Sequence, residues 1–420
     1  MSTDPGPPTP PAEPPGPPRD APRARALDGL RGLAATAVVF YHAILHHDLS
    51  VIERVLFRPV QDLVSLRDVA SKIALTLVHG ETAVQVFFVL SGCVLSLSLR
   101  RHRAGVVRVS AAFAAARILR LYPPLIACLI AFFVLTRIGP AGMPQFKAAD
   151  LLINCTLWAT PMHGPSYTVQ MELLAVPFLL AAWLLRRTVG PGGYVFAAFY
   201  GLLALQSDPM VFHLPHMHAF LFAFLLGMLA SERLLRPLFR GVPSAAWWAL
   251  FLLMPLCRMF HERLAVVAIV AQTTAAGLLV AGLLHGRGSS LHRVLESPPM
   301  QFLGRISYSL YLLNPPVLFL IWAITDRFAW PGRHPLEAGL VIGAASLLLT
   351  IPPAWASERW IERPSIRAAH ALAAALRGRP GYSTPVNQDL ARPGGKAAAS
   401  PPGADRVTSA GRRAVRGGRP

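Results

Sequence analysis

Asp28, Arg31 and His42 put an acid, a guanidinium and an imidazole into one otherwise apolar, helix-length stretch, Arg25-Ala-Leu-Asp28-Gly-Leu-Arg31 through to Tyr41-His42. Ionisable groups are costly in lipid and mark function when they occur there. Arg31 and His42 are eleven positions apart, roughly 1100° of α-helix, which is about 20° past three full turns and about 16 Å along the axis. They therefore share a face, with Asp28 one turn before Arg31. An imidazole with an unperturbed pKa of about 6.5 suits proton transfer.

Four further groupings carry chemistry. Arg117 and Arg120 lie one helical turn apart, a spacing suited to gripping phosphates with forked donors, although positive-inside anchoring explains such arginines equally well. Ser91-Gly92 allows close helix approach, and packing alone accounts for it as readily as a site does. Glu172 follows Gly164-Pro-Ser166-Tyr167-Thr-Val-Gln170 and would lie about 9 Å below the outer end of a helix opening near Ser166. That carboxylate needs a partner, and His42 is expected at a comparable depth. Ser307, Tyr311 and Asn314 stand at i, i+4 and i+7 on one face, where interhelical hydrogen bonding is the competing reading. His213, His216 and His218 invite a metal, but Pro215 interrupts their alignment and imidazoles at an interface stay wet, so no metal site is expected. His46 and His47 are expected to be interfacial.

These groups need elements to hold them, and the composition says which kind. With 420 residues, 53% hydrophobic and 15% charged, the chain reads as an all-α polytopic membrane protein. Apolar runs near 27–47, 78–99, 119–138, 166–185, 193–207, 212–230, 244–257, 264–284, 303–324 and 336–356 predict about ten spans. Residues 150–159 are too short to cross and are expected to be re-entrant or interfacial. Arginines concentrate in alternate loops, which predicts both termini in the cytoplasm. Arg258, Arg263, Arg327 and Arg333 are exceptions on the opposite side.

The net charge of +19 owes seven charges to residues 371–420, with nine Lys or Arg against Asp389 and Asp405. Much of the remainder is short Arg-rich loops, so the charge sets topology and no nucleic-acid partner is expected. Residues 1–24 are proline-rich and 369–420 are Ala, Gly, Arg and Pro-rich, so both are expected to be disordered tails around a membrane domain at 25–368. Cys93, Cys128, Cys155 and Cys257 are scattered singly and read as core. No internal repeat is visible between the halves, which argues against an inverted-repeat transporter. Three lysines against thirty-seven arginines suggest a GC-rich, bacterial genome.

The combination Asp28-Gly-Leu-Arg31-Gly with His42, Phe87-Phe-Val-Leu-Ser91-Gly92, Arg117-Ile-Leu-Arg120-Leu-Tyr122-Pro123 and Ser307-Tyr-Ser-Leu-Tyr311-Leu-Leu resembles the acyltransferase-3 family of bacterial integral-membrane O-acyltransferases over about residues 26–364. The resemblance implies acyl-CoA as a co-substrate met from the cytoplasm, no permanently bound cofactor, and an acceptor hydroxyl on a saccharide or glycosylated molecule. It implies a multi-pass protein of the inner membrane. His42 then serves as general base or transient acyl carrier, with Asp28 and Glu172 assisting; Arg31, Arg117, Arg120 and Tyr122 hold the donor. Ser91, Tyr167, Tyr311 and Asn314 are the expected acceptor-side contacts. The chain departs from the family where Tyr167-Thr-Val replaces Trp-Ser-Leu, Gln85 replaces a frequent Asp, and Asn314 stands where His is common. Asn314 cannot shuttle a proton. A glycolipid or saccharide transporter or flippase using an intramembrane acid–base pair is the alternative from another class.

Overall fold

A computed structural model describes residues 21–46, 49–101, 105–260, 266–286 and 288–377. The chain runs through α1 (Ala21–His46), α2 (Leu66–Leu77), α3 (Gly80–Arg100), α4 (Val106–Ile138), α5 (Ala148–Thr156) and α6 (Ser166–Leu174). It continues through α7 (Val176–Val189), α8 (Gly192–Ala204), α9 (Met217–Ala230), α10 (Ser244–Leu256) and α11 (Val266–His285). The last helices are α12 (Ser290–Leu295), α13 (Pro298–Thr325), α14 (Ala329–Arg333), α15 (Pro335–Ser357) and α16 (Arg363–Leu376). A π-helical turn, Glu358–Glu362, joins α15 to α16. No strand occurs among the described residues.

Every one of the ten apolar runs is helical, but the count of spans falls short of ten. Six helical segments among the described residues are long and apolar enough to cross a membrane, or seven if the bent segment from Met217 to Phe239 is one span. α8 and α10 are apolar but have only 13 residues each, about 20 Å of helix against a hydrocarbon core of about 30 Å. α1 has the length, 26 residues, but carries Asp28, Arg31 and His42 and is not among the six. Such a helix needs its polar stripe covered by protein, and α3, α13 and α15 provide the cover. The chain is thus a multi-pass membrane protein whose opening helix lies inside the bundle.

Glycine contacts fix how that helix is held. A Cβ on Gly32 would collide with the backbone of Gly304, and one on Gly304 with the carbonyl of Asp28. α1 and α13 therefore touch backbone to backbone, as small residues permit in membranes. They run parallel: Asp28 lies beside Gly304, and eighteen residues later in each helix His46 stacks on Trp322 at 3.8 Å. α3 runs antiparallel to α1, with Gly80 against Tyr41 and Phe87 packed near Ala35. Two ends of the bundle follow, named here by α1 as the Asp28 end and the His46 end.

The structure moves three expected boundaries. α4 begins at Val106, well before the apolar run at 119, because the Ala-rich stretch 111–116 favours helix. Arg117 and Arg120 consequently sit within a helix rather than at its mouth. α16 continues to Leu376 instead of ending at 368: Ser365, Ala369 and Ala373 recur every four residues and form the buried face, and the helix packs along α4. The expected tails at 1–20 and 378–420 lie outside the described residues.

Candidate active site

A narrow cavity of about 90 Å³ opens near the Asp28 end, with charged walls from Asp28, Arg31, Arg117, Arg120 and Glu172 and polar or aromatic walls from Ser91, Thr168, Ser307, Tyr308 and Tyr311. Its deep end is bounded by Phe87 and Tyr311, whose rings meet edge to face with centroids 5.7 Å apart. Five helices contribute to it: α1, α3, α4, α6 and α13. Motifs far apart in sequence thereby reach one space.

The three arginines are not equivalent. Arg117 Nη2 pairs with Glu172 Oε2 at 3.0 Å and donates to Ser91 Oγ at 3.1 Å, while its Nε donates to the Glu172 carbonyl at 3.0 Å. It is buried and its donors are committed to protein, so it ties α4 to α3 and α6. Arg31 and Arg120 make no hydrogen bond and no ion pair within 4 Å among the described residues, and both reach the cavity. Asp28 and Glu362 act on them through space. Two guanidinium groups aimed into a partly enclosed space are donors awaiting an anion.

Arg117 and Glu172 yield a stability prediction. Removing one member of a buried ion pair leaves the other charge uncompensated, at about 3–5 kcal/mol, whereas replacing both with apolar residues of similar volume is often neutral. Glu172→Leu should lower the melting midpoint of the purified protein sharply, and Arg117→Met with Glu172→Leu should recover most of the loss. A double variant as unstable as the single one would show that the pair does not act as a unit.

Glu172 was expected at the depth of His42, and the structure places it elsewhere. It lies at the level of Ser91 on α3, whereas Tyr41, beside His42, lies at the level of Gly80. Eleven residues of α3 separate these levels, about 16 Å. The cause is the segment before α6, which descends into the bundle: His163 Nε2 donates to the Leu312 carbonyl at 2.9 Å, halfway along α13. Asn154 holds the descent by accepting from the His163 backbone at 3.1 Å and donating to Ser166 Oγ at 2.9 Å. α6 therefore starts in mid-bundle, and its second turn meets the arginines. α5, the 9-residue helix over the expected non-crossing stretch, packs on α4.

His42 lies four residues before the end of α1 at the His46 end. Its ring stands edge-on to Tyr41 at 5.6 Å, and it makes no hydrogen bond or ion pair among the described residues. Protein surrounds it densely, yet its side chain is exposed, so it opens onto a space within the helix assembly. It does not line the arginine cavity. The stripe of α1 thus carries donors for an anion at one end and an accessible imidazole about 16 Å farther on.

Three expected contacts are absent from the cavity wall. Tyr122 is two residues beyond Arg120, about 200° around the helix, and packs among Cys155, Leu125 and their neighbours. Tyr167 turns toward His216 and Phe220, with ring centroids 5.9 and 6.3 Å away, leaving the wall position to Thr168. Asn314 is buried and donates to Ser346 Oγ at 2.7 Å, joining α13 to α15. His218 pairs with Asp208 at 2.5 Å, and no group of three or more metal-ligating side chains occurs among the described residues.

Some site residues had escaped notice. Tyr308 lines the cavity and donates to the Leu121 carbonyl at 2.8 Å; its position one turn before Tyr311 was the available signal. Glu362, in the π-helical turn, accepts from Ser309 Oγ at 3.1 Å and acts on Arg120 and Arg31, although in sequence it reads as one charge in an Arg-rich loop. At the His46 end, Arg258 pairs with Glu81 at 2.5 Å and its Nε donates to Gln272 Oε1 at 3.1 Å, which also accepts from Thr82 at 3.2 Å. That network explains one arginine that defied the loop bias.

No curated protein and no solved structure gives a significant match to the chain. A family model described as an acyltransferase domain matches residues 25–359, which include α1, the arginine cavity's other walls and His42. The chain belongs to the acyltransferase-3 family.

Proposed function

We propose that the protein transfers a short acyl group from acyl-CoA to a hydroxyl of a saccharide or glycosylated acceptor across the membrane-embedded stripe of α1. The observation that carries this reading is the pair of guanidinium groups, Arg31 and Arg120, that reach the cavity without an ion pair among the described residues, on the same stripe as His42. An extended pantetheine arm covers a distance of about 16 Å, so phosphates held at the Asp28 end place a thioester near the imidazole. The cavity's narrowness suits a phosphate group and a linear arm, and leaves the nucleotide at the mouth. By the Arg bias of the loops, that mouth faces the cytoplasm of the inner membrane and the acceptor arrives from the other side.

Either of two routes uses the same residues. In the first, His42 takes the hydroxyl proton as the acceptor oxygen attacks the thioester carbon; the C–S bond breaks, and the imidazolium returns the proton to the departing thiolate. In the second, the ring nitrogen attacks first, releases CoA thiol, and passes the acyl group to the hydroxyl. Asp28 supports Arg31 and Arg120 electrostatically, and Glu172 positions Arg117. Proteoliposomes containing the full-length protein, given acetyl-CoA and a saccharide pool, should release free thiol stoichiometrically with acylated sugar. Saccharide movement without thiol release would replace this reading with a transporter.

A further inference from the structure

The remaining outlying arginines lead to a second cavity, at the His46 end. It has a volume of about 280 Å³ and is lined by Arg54, Arg67, Arg333, Asp68, Ser65 and Ser71, with Ile44 and Leu336 as apolar wall. Arg54 pairs with Asp68 at 3.3 Å; Arg67 pairs with Glu337 at 3.5 Å and donates to the Arg333 carbonyl at 3.0 Å. The Arg333 side chain makes no ion pair among the described residues. Three guanidinium groups thus face two carboxylates, and the arginines are held by partners that fix their direction. Arg333 also sits in a loop where the arginine bias of a membrane protein disfavours it, a cost that a ligand would offset.

We propose that this cavity is a second anion site, which binds one carboxylate or phosphate group on a sugar-sized molecule. Its volume is near the lower bound for small-ligand pockets, its walls are polar, and forked donors suit such groups. Ile44 lies two residues past His42, about 200° around α1, so the site flanks the His42 end of the stripe from the opposite face. Resting on the acyl-transfer reading, the occupant would be an acidic saccharide acceptor, anchored by its charge while a hydroxyl reaches around α1. An anionic lipid headgroup offers the same chemistry.

Full-length protein carrying Arg120→Gln, which disables the donor cavity, is the starting point for equilibrium dialysis in neutral detergent. Glucuronate and inorganic phosphate should bind at one equivalent per chain and glucose should not. Adding Arg333→Gln should weaken both anions about tenfold, and adding Arg67→Gln should weaken them further, with Arg333→Lys retaining part of the affinity. In nanodiscs, displacement of glucuronate by phosphatidylglycerol but not phosphatidylcholine would identify a lipid headgroup as the occupant; its persistence would identify the saccharide. Equal affinity in the Arg333→Gln and Arg67→Gln proteins, provided both keep the parent's melting midpoint, would overturn the site. Acyl-CoA binding that survives Arg120→Gln would instead count against the donor cavity and leave this result standing.

Discussion

His42→Ala should abolish acyl transfer while leaving a folded protein that binds CoA as tightly as the parent. General-base assistance contributes about 10²–10⁴-fold, so thiol release should fall at least that far, and further if the ring carries the acyl group. Folding should survive because His42 has no hydrogen-bond partner among the described residues, and its loss leaves none of them unsatisfied. CoA affinity should survive because the cavity does not include the imidazole. The measurement pairs free-thiol release in proteoliposomes with calorimetric CoA binding. Undiminished turnover would remove His42 from the chemistry.

The complementary result is expected of Arg31→Gln and Arg120→Gln. A hydrogen bond to a charged group contributes about 1.5–3 kcal/mol, so each change should weaken acyl-CoA binding by one to two powers of ten. The effect should appear in KM, with kcat reduced far less, because these groups hold phosphates rather than reacting atoms. Stability should change little, since neither guanidinium has a close ion-pair partner among the described residues. Arg117→Gln should behave in the opposite way, losing stability through the stranded Glu172 carboxylate. If all three variants bound acyl-CoA with parental affinity, the cavity would have to be assigned to some other ligand.

How much of this was legible beforehand depended on whether a feature is local. The stripe of α1 follows from helical periodicity alone, and so do the ten apolar runs. Ser91, Tyr311, Arg117 and Arg120 reached the cavity because their motifs lie on faces that the helix repeat already defines. The depth of Glu172 was beyond reach, since it depends on His163 binding a carbonyl in the middle of α13, 149 positions away. Spans were overcounted because α8 and α10 are as apolar as true spans and differ only in length. Tyr122 shows the converse error: a motif groups neighbours in sequence that a helix sends to different sides.

The turn at Glu358–Glu362 makes the chain more sensitive to length than to lettering. A π-helical turn is one residue wider than an α-helical one, and this one sets the rotation of everything after it. Deleting a single residue there would restore an unbroken α-helix, but would swing α16 through about 100° and draw it back about 1.5 Å. Ala369 and Ala373 would leave the α4 interface together, taking the acid beside the arginines with them. Exchanges of one side chain for another should be absorbed along this segment, while insertions and deletions should not.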